Sequence, residues 1–83
     1  MNRRRLLQLI LSGSKNIRFQ DFSSLVEGFG FNLARINGCH HIYVHDDVPE
    51  LLNLQSVDGQ VKLYQIRQFL KLVERYQLSL DGD

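Results

Sequence analysis

The run Gly38-Cys39-His40-His41-Ile42-Tyr43-Val44-His45 holds all three histidines of the chain and its one cysteine, so whatever acid–base, thiol or metal chemistry the sequence carries is concentrated there. These residue types open three chemistries. A metal site is disfavoured by geometry: neighbours in an extended chain point to opposite faces, and His41 and His45 would stand about 13 Å apart along a strand. A Cys39 nucleophile activated by His40 meets the same objection, because adjacent side chains diverge, and no other thiol-enzyme signature accompanies the pair. The third chemistry is proton transfer by one histidine, whose near-neutral titration allows it to act as base and acid without a cofactor. RNA is a natural substrate for that chemistry. Its 2′-hydroxyl can attack the adjacent phosphorus once a base takes the hydroxyl proton, and nearby cations can balance the charge developing on the phosphate oxygens.

The elements that must position these residues follow from periodicity. Arg3 to Leu11 is a run of good helix formers that stops at Ser12-Gly13-Ser14. A second helix is expected from Phe19 to Phe29, with Phe19, Phe22, Leu25, Val26 and Phe29 on one stripe and Gly30 as its C-terminal cap. Strands are expected over Phe31–Ile36 and His40–His45, joined by a two-residue turn signalled by Asn37-Gly38, and over Leu51–Val57 after the break at Asp46-Asp47-Val48-Pro49. A last helix runs from Leu63 to Tyr76, with Leu63, Ile66, Phe69, Leu70, Val73 and Tyr76 at helical spacing. Helix, helix, three strands, helix is an α+β pattern, an antiparallel sheet with helices packed on one face. Alternation along the second strand puts His40 with Ile42 and Val44, the face expected to be buried. A terminal strand residue beside a turn can escape burial, and otherwise His41, expected to face outward with Tyr43 and His45, takes the catalytic role.

Eighty-three residues make one small domain, and the 43% apolar and 23% charged fractions are those of a globular chain. The formal charge of +1 is too low to announce a nucleic-acid binder by itself, although Arg3, Arg4, Arg5, Lys15 and Arg18 lie close together near the start. Arg3–Arg5 followed by Leu6, Leu7, Leu9, Ile10 and Leu11 faintly resembles a secretory signal, but the apolar run is shorter than the roughly 7 to 15 residues such a core needs. No segment approaches the roughly 20 apolar residues of a membrane span. A lone Cys39 suits a reducing compartment, and the expected location is the cytoplasm.

The same residues carry a resemblance to a known family. The Gly38-to-His45 run, preceded by Phe29-Gly30-Phe31 and followed by Leu51–Leu54 and Tyr64-Gln65-Ile66-Arg67, resembles the HicA toxins, messenger-RNA interferases held in check by HicB antitoxins in bacterial toxin–antitoxin modules. The likeness covers about Phe19 to Tyr76. It implies a fold like that of the double-stranded-RNA-binding domain, residues 1–17 being a helical extension and 18–83 the nuclease domain. In that family a Gly-Ser-His motif opens the second strand and its histidine is needed for cleavage. Carried over, the role falls on His40, with Gly38 as the motif glycine, Cys39 in place of the usual Ser, and His41 as neighbour. Leu63 stands where related sequences often have Pro. A thiol in place of the hydroxyl weakens any hydrogen bond made there.

Arg18, Arg35, Lys62 and Arg67 are candidates to neutralise phosphates, and Tyr43 to stack on an unpaired base, with solvated surface and sheet packing as the respective alternatives. The expectation is therefore a toxin endoribonuclease that needs no metal or other cofactor. Its partners are messenger RNA and a HicB-type antitoxin, and it binds neither membrane nor, by itself, DNA. The competing readings are a noncatalytic RNA-binding module, which binds RNA without cutting it, and a protein-interaction domain, which does neither.

Overall fold

Asn2 starts the first helix: its side-chain oxygen accepts the backbone N–H of Arg5 at 2.8 Å, satisfying one of the amides a helix start leaves free. In the computed structural model, which describes residues 1–81, this helix is α1 (Arg3–Leu11) and it buries Leu6 and Ile10, one turn apart. The last two residues of the expected nuclease domain, Gly82 and Asp83, lie outside the described residues. The second helix, α2 (Phe19–Gly28), buries Phe19, Phe22, Leu25 and Val26, the expected stripe. It ends in a paired closure: Gly30 N–H donates to Glu27 O at 2.9 Å and Phe31 N–H to Val26 O at 3.4 Å, with Gly30 at φ +96. A Cβ on Gly30 would stand 2.8 Å from His45 Nε2, so this glycine is required by both backbone and neighbour.

Three antiparallel strands follow, β1 (Asn32–Asn37), β2 (His40–His45) and β3 (Val48–Gln55), in the sheet order β1-β2-β3. Asn37 pairs with His40, so the turn residues are Gly38 and Cys39, one position later than expected from Asn37-Gly38. Gly38 at φ +58 takes the left-handed conformation at the first turn position, the place where a two-residue hairpin favours glycine. The third strand begins at Val48, ahead of the expected Leu51, and ends at Gln55. Pro49 does not exclude the segment because β3 lies at the edge of the sheet. On the other edge, the register of β1 slips between Leu33 and Arg35, leaving Ala34 as an extra residue.

The last helix, α3 (Leu63–Arg75), is tied to β3 at both ends. Near its start, Gln65, only 4% exposed, donates through Nε2 to Asn53 O at 3.3 Å and accepts Gln55 N–H through Oε1 at 3.1 Å. One side-chain amide thus occupies backbone groups on the open edge of β3. At the far end Glu50 accepts Arg75 Nη1 at 2.6 Å and the Tyr76 hydroxyl. That carboxylate holds the Tyr76 phenol above its ordinary titration range.

The core lies between the helices and one sheet face. Phe69 meets Phe22, Phe29 and Phe31 edge-on at ring separations of 5.3, 5.4 and 6.0 Å, and Tyr43, Leu52 and Leu54 close the layer from the sheet. Leu6 and Ile10 of α1 belong to the same cluster, so the N-terminal helix shares the core of the rest of the chain. The result is an α+β fold with a three-stranded antiparallel sheet and helices on one face. Among the described residues no helix is long and apolar enough to cross a membrane.

Candidate active site

Directly paired strand residues point to the same side of a sheet, so the register assigns every side chain of β2 to a face. Tyr43 pairs with Leu33 and Leu52, and His41 with Ile36 and Leu54. Leu52 and Leu54 are fully buried, and this is the face that packs on the helices. His40 pairs with Asn37 and Gln55, Ile42 with Arg35 and Asn53, and this is the open face. The expectation from β2 alone is therefore reversed: His40, Ile42 and Val44 lie on the open side, and His41, Tyr43 and His45 turn toward the core. Ile42 is still buried although it lies on this face.

Each histidine has a distinct setting. His40 is exposed, and its Nδ1 stands 3.1 Å from Asn53 Oδ1; an amide oxygen only accepts, so the contact matches the tautomer with the proton on Nδ1 and Nε2 as acceptor. His41 is half-buried beneath Phe19, ring centroids 4.7 Å apart, and donates a long hydrogen bond from Nδ1 to Cys39 O at 3.4 Å. His45 is half-buried and fully engaged: Nε2–H donates to Phe29 O at 3.0 Å, Nδ1 accepts Asp47 N–H at 3.0 Å, and the ring meets Phe31 edge-on at 5.0 Å. The three rings do not converge, and among the described residues no group of three or more His, Cys, Asp and Glu could hold a metal ion.

Tyr43 is not a platform for stacking. It is 1% exposed, and its hydroxyl makes a 2.5 Å hydrogen bond with Ser23 of α2. Burial pushes its phenol above the ordinary value of 10.0, an effect that the Ser23 hydrogen bond opposes and the charge of Glu27 reinforces. His41 likewise cannot replace His40 on the open face, since it points to the opposite side. It lines a groove of about 600 Å³ between α2 and β1 with Arg18, Phe19, Leu33, Ile36 and Tyr43.

The cations divide among several places. Arg35 is exposed on the open face opposite Ile42, one strand away from His40. Arg18 precedes α2 and lines the groove behind the sheet. Lys62 precedes α3 and borders a separate hollow with Lys15 and Asp58, while Arg67 is exposed further along α3. Of the four, only Arg35 shares the face of His40. Gly38 and Cys39 form the turn beside the histidine, and Cys39 Sγ accepts the side-chain amide of Gln55 at 3.4 Å.

Two residues that the sequence did not single out shape this site, Asn53 on the histidine ring and Gln65 beneath Asn53. The signal for Asn53 is the alternation Leu52-Asn53-Leu54-Gln55, apolar on one side and amide on the other. That pattern assigns β3 a covered and an open face without reference to β2. Comparison of the chain with protein-family models, with curated proteins and with solved structures finds no match.

Proposed function

We propose that the protein is an endoribonuclease that cuts messenger RNA through His40, the toxin of a HicA-type module restrained by a HicB-type antitoxin. The observation that carries the reading is the setting of His40: an exposed histidine on the open sheet face, Nδ1 occupied by Asn53, Nε2 uncommitted, and Arg35 on the same face. An imidazole so arranged is suited to take the 2′-hydroxyl proton as the 2′-oxygen bonds to phosphorus. The P–O5′ bond then breaks and the proton passes to the departing 5′-oxygen, leaving a cyclic phosphate and a free 5′-hydroxyl. Arg35 is the group to balance charge on the phosphate oxygens, which a guanidinium meets with paired N–H donors. The reading requires no metal, because the proton transfers are within reach of one histidine.

The helix–strand–strand–strand–helix order from α2 to α3 supports the likeness to the double-stranded-RNA-binding domain, and a cytoplasmic location accompanies it, where messenger RNA is found. The test is cleavage of a long single-stranded RNA in EDTA by the purified protein and by a folded His40→Ala variant. Cleavage by the wild type and its loss in the variant is the expected outcome. Equal cutting by both moves the chemistry off His40, and cutting by neither, with RNA still bound, leaves a noncatalytic RNA-binding module.

A further inference from the structure

We infer that Asn53 is the positioning residue of this site: it holds His40 in the Nδ1–H tautomer and so makes Nε2 the nitrogen that exchanges protons. The inference rests on the reading of His40 as the reactive group, but its geometry stands independently. Asn53 does not face His40 across the sheet; its direct partner is Ile42, and Gln55 is the partner of His40. The amide therefore reaches diagonally, a span that strand twist and a two-carbon side chain allow, to place Oδ1 3.1 Å from Nδ1.

An imidazole exposed to water is free to exchange between its two neutral forms and to rotate about its side-chain bonds. An amide oxygen on Nδ1 biases both, since with the oxygen in that place the Nδ1–H form is the one that donates to it and the ring orientation that brings this nitrogen to the oxygen is favoured. The acceptor is itself anchored. Gln65, buried at the start of α3, donates to Asn53 O and accepts Gln55 N–H, fixing the stretch of β3 from which Asn53 projects. Gln55 in turn donates to Cys39 Sγ in the turn that precedes His40. The ring is thus held from β3 through its side chain and from the hairpin turn through its backbone.

The experiment reads the tautomer directly. Nitrogen-15 spectra of the His40 ring, recorded above its titration midpoint, should show Nδ1 protonated and Nε2 unprotonated in the wild type. In Asn53→Ala the two neutral forms should mix, and RNA cleavage should fall roughly 10- to 100-fold, the range for loss of a residue that orients a reactive group. Asn53→Asp, which keeps an acceptor oxygen in place and adds a negative charge, should restore the Nδ1–H form. Because a carboxylate favours the imidazolium, it should also move the acid-side limb of the pH–rate profile, where the ring must lose its proton to act as base, to higher pH than in the wild type. The proposal is overturned if the wild type shows Nε2–H, or if Asn53→Ala leaves the tautomer populations unchanged. If the wild type shows the expected tautomer but cuts no RNA, the nuclease reading falls while the positioning of the ring by Asn53 stands.

Discussion

His40 and His45 sit at opposite ends of one strand and are held in opposite tautomers, Nδ1–H by Asn53 and Nε2–H by Phe29 O. The difference is one of valence. Both nitrogens of His45 are engaged by the backbone, so that ring joins α2 to the β2–β3 turn, whereas His40 keeps one nitrogen for chemistry. Tyr43, between them, contributes to stability through its hydroxyl and its burial. Its phenol titrates above the ordinary value of 10.0 in the folded state, so its contribution is fully present below pH 10 and is lost as pH rises through the folded value. Tyr76 is shifted in the same direction by Glu50. Thermal melts between neutral pH and about pH 11 should therefore show a melting temperature that begins to fall above about pH 10. Tyr43→Phe should reduce that slope without abolishing it. At neutral pH it should cost about 1 kcal/mol in urea unfolding for the lost bond to Ser23.

At the scale of the element, the closure of α2 couples helix to sheet through Gly30. Gly30→Ala would hold a non-glycine residue at φ +96 and press a methyl group against His45 Nε2, so denaturant unfolding should report a loss of about 1 to 3 kcal/mol. The glycine was legible in the sequence as a helix cap; its contact with a histidine fifteen residues away was not. The same division runs through the fold. α1 begins and ends where its helix formers do, and the apolar stripe of α2 is the one that packs; in α3 Ile66 and Phe69 are buried as expected and Leu70, Val73 and Tyr76 partly so, but Leu63 is exposed and Leu72, outside the expected stripe, is buried. Strands carry less information singly. In His40–His45 both faces hold apolar residues, Ile42 and Val44 on one and Tyr43 on the other, and the segment cannot declare which side meets the helices. Leu52 and Leu54, opposite Tyr43 and His41, decide it. The candidate site inherits that limit: His40 was visible by type, while its exposure and its Asn53 partner depend on the strand alongside.

For the molecule as a whole, α1 is part of the structure that presents the site, since Leu6 and Ile10 lie in the cluster that also holds Phe22 and Tyr43. Leu6→Ala should lower stability by about 2 to 5 kcal/mol, a large share of the roughly 5 to 15 kcal/mol a small domain possesses, and the melting temperature would show it. If the protein is a toxin, expressing it alone should arrest growth. The same substitution should then relieve the arrest by lowering the amount of folded protein, while Arg5→Gln, an exposed change on the same helix, should not. The Gln65 amide described above has a consequence at this scale. A sheet grows by templating, each free edge offering its unpaired amides and carbonyls to the next chain. Here two groups on the edge of β3, Asn53 O and Gln55 N–H, are already taken by Gln65, and β1 presents a bulge at Ala34 beside the charge of Arg35. The fold therefore blunts its sheet on both sides by unrelated means, so that each edge is interrupted as a template for a second chain.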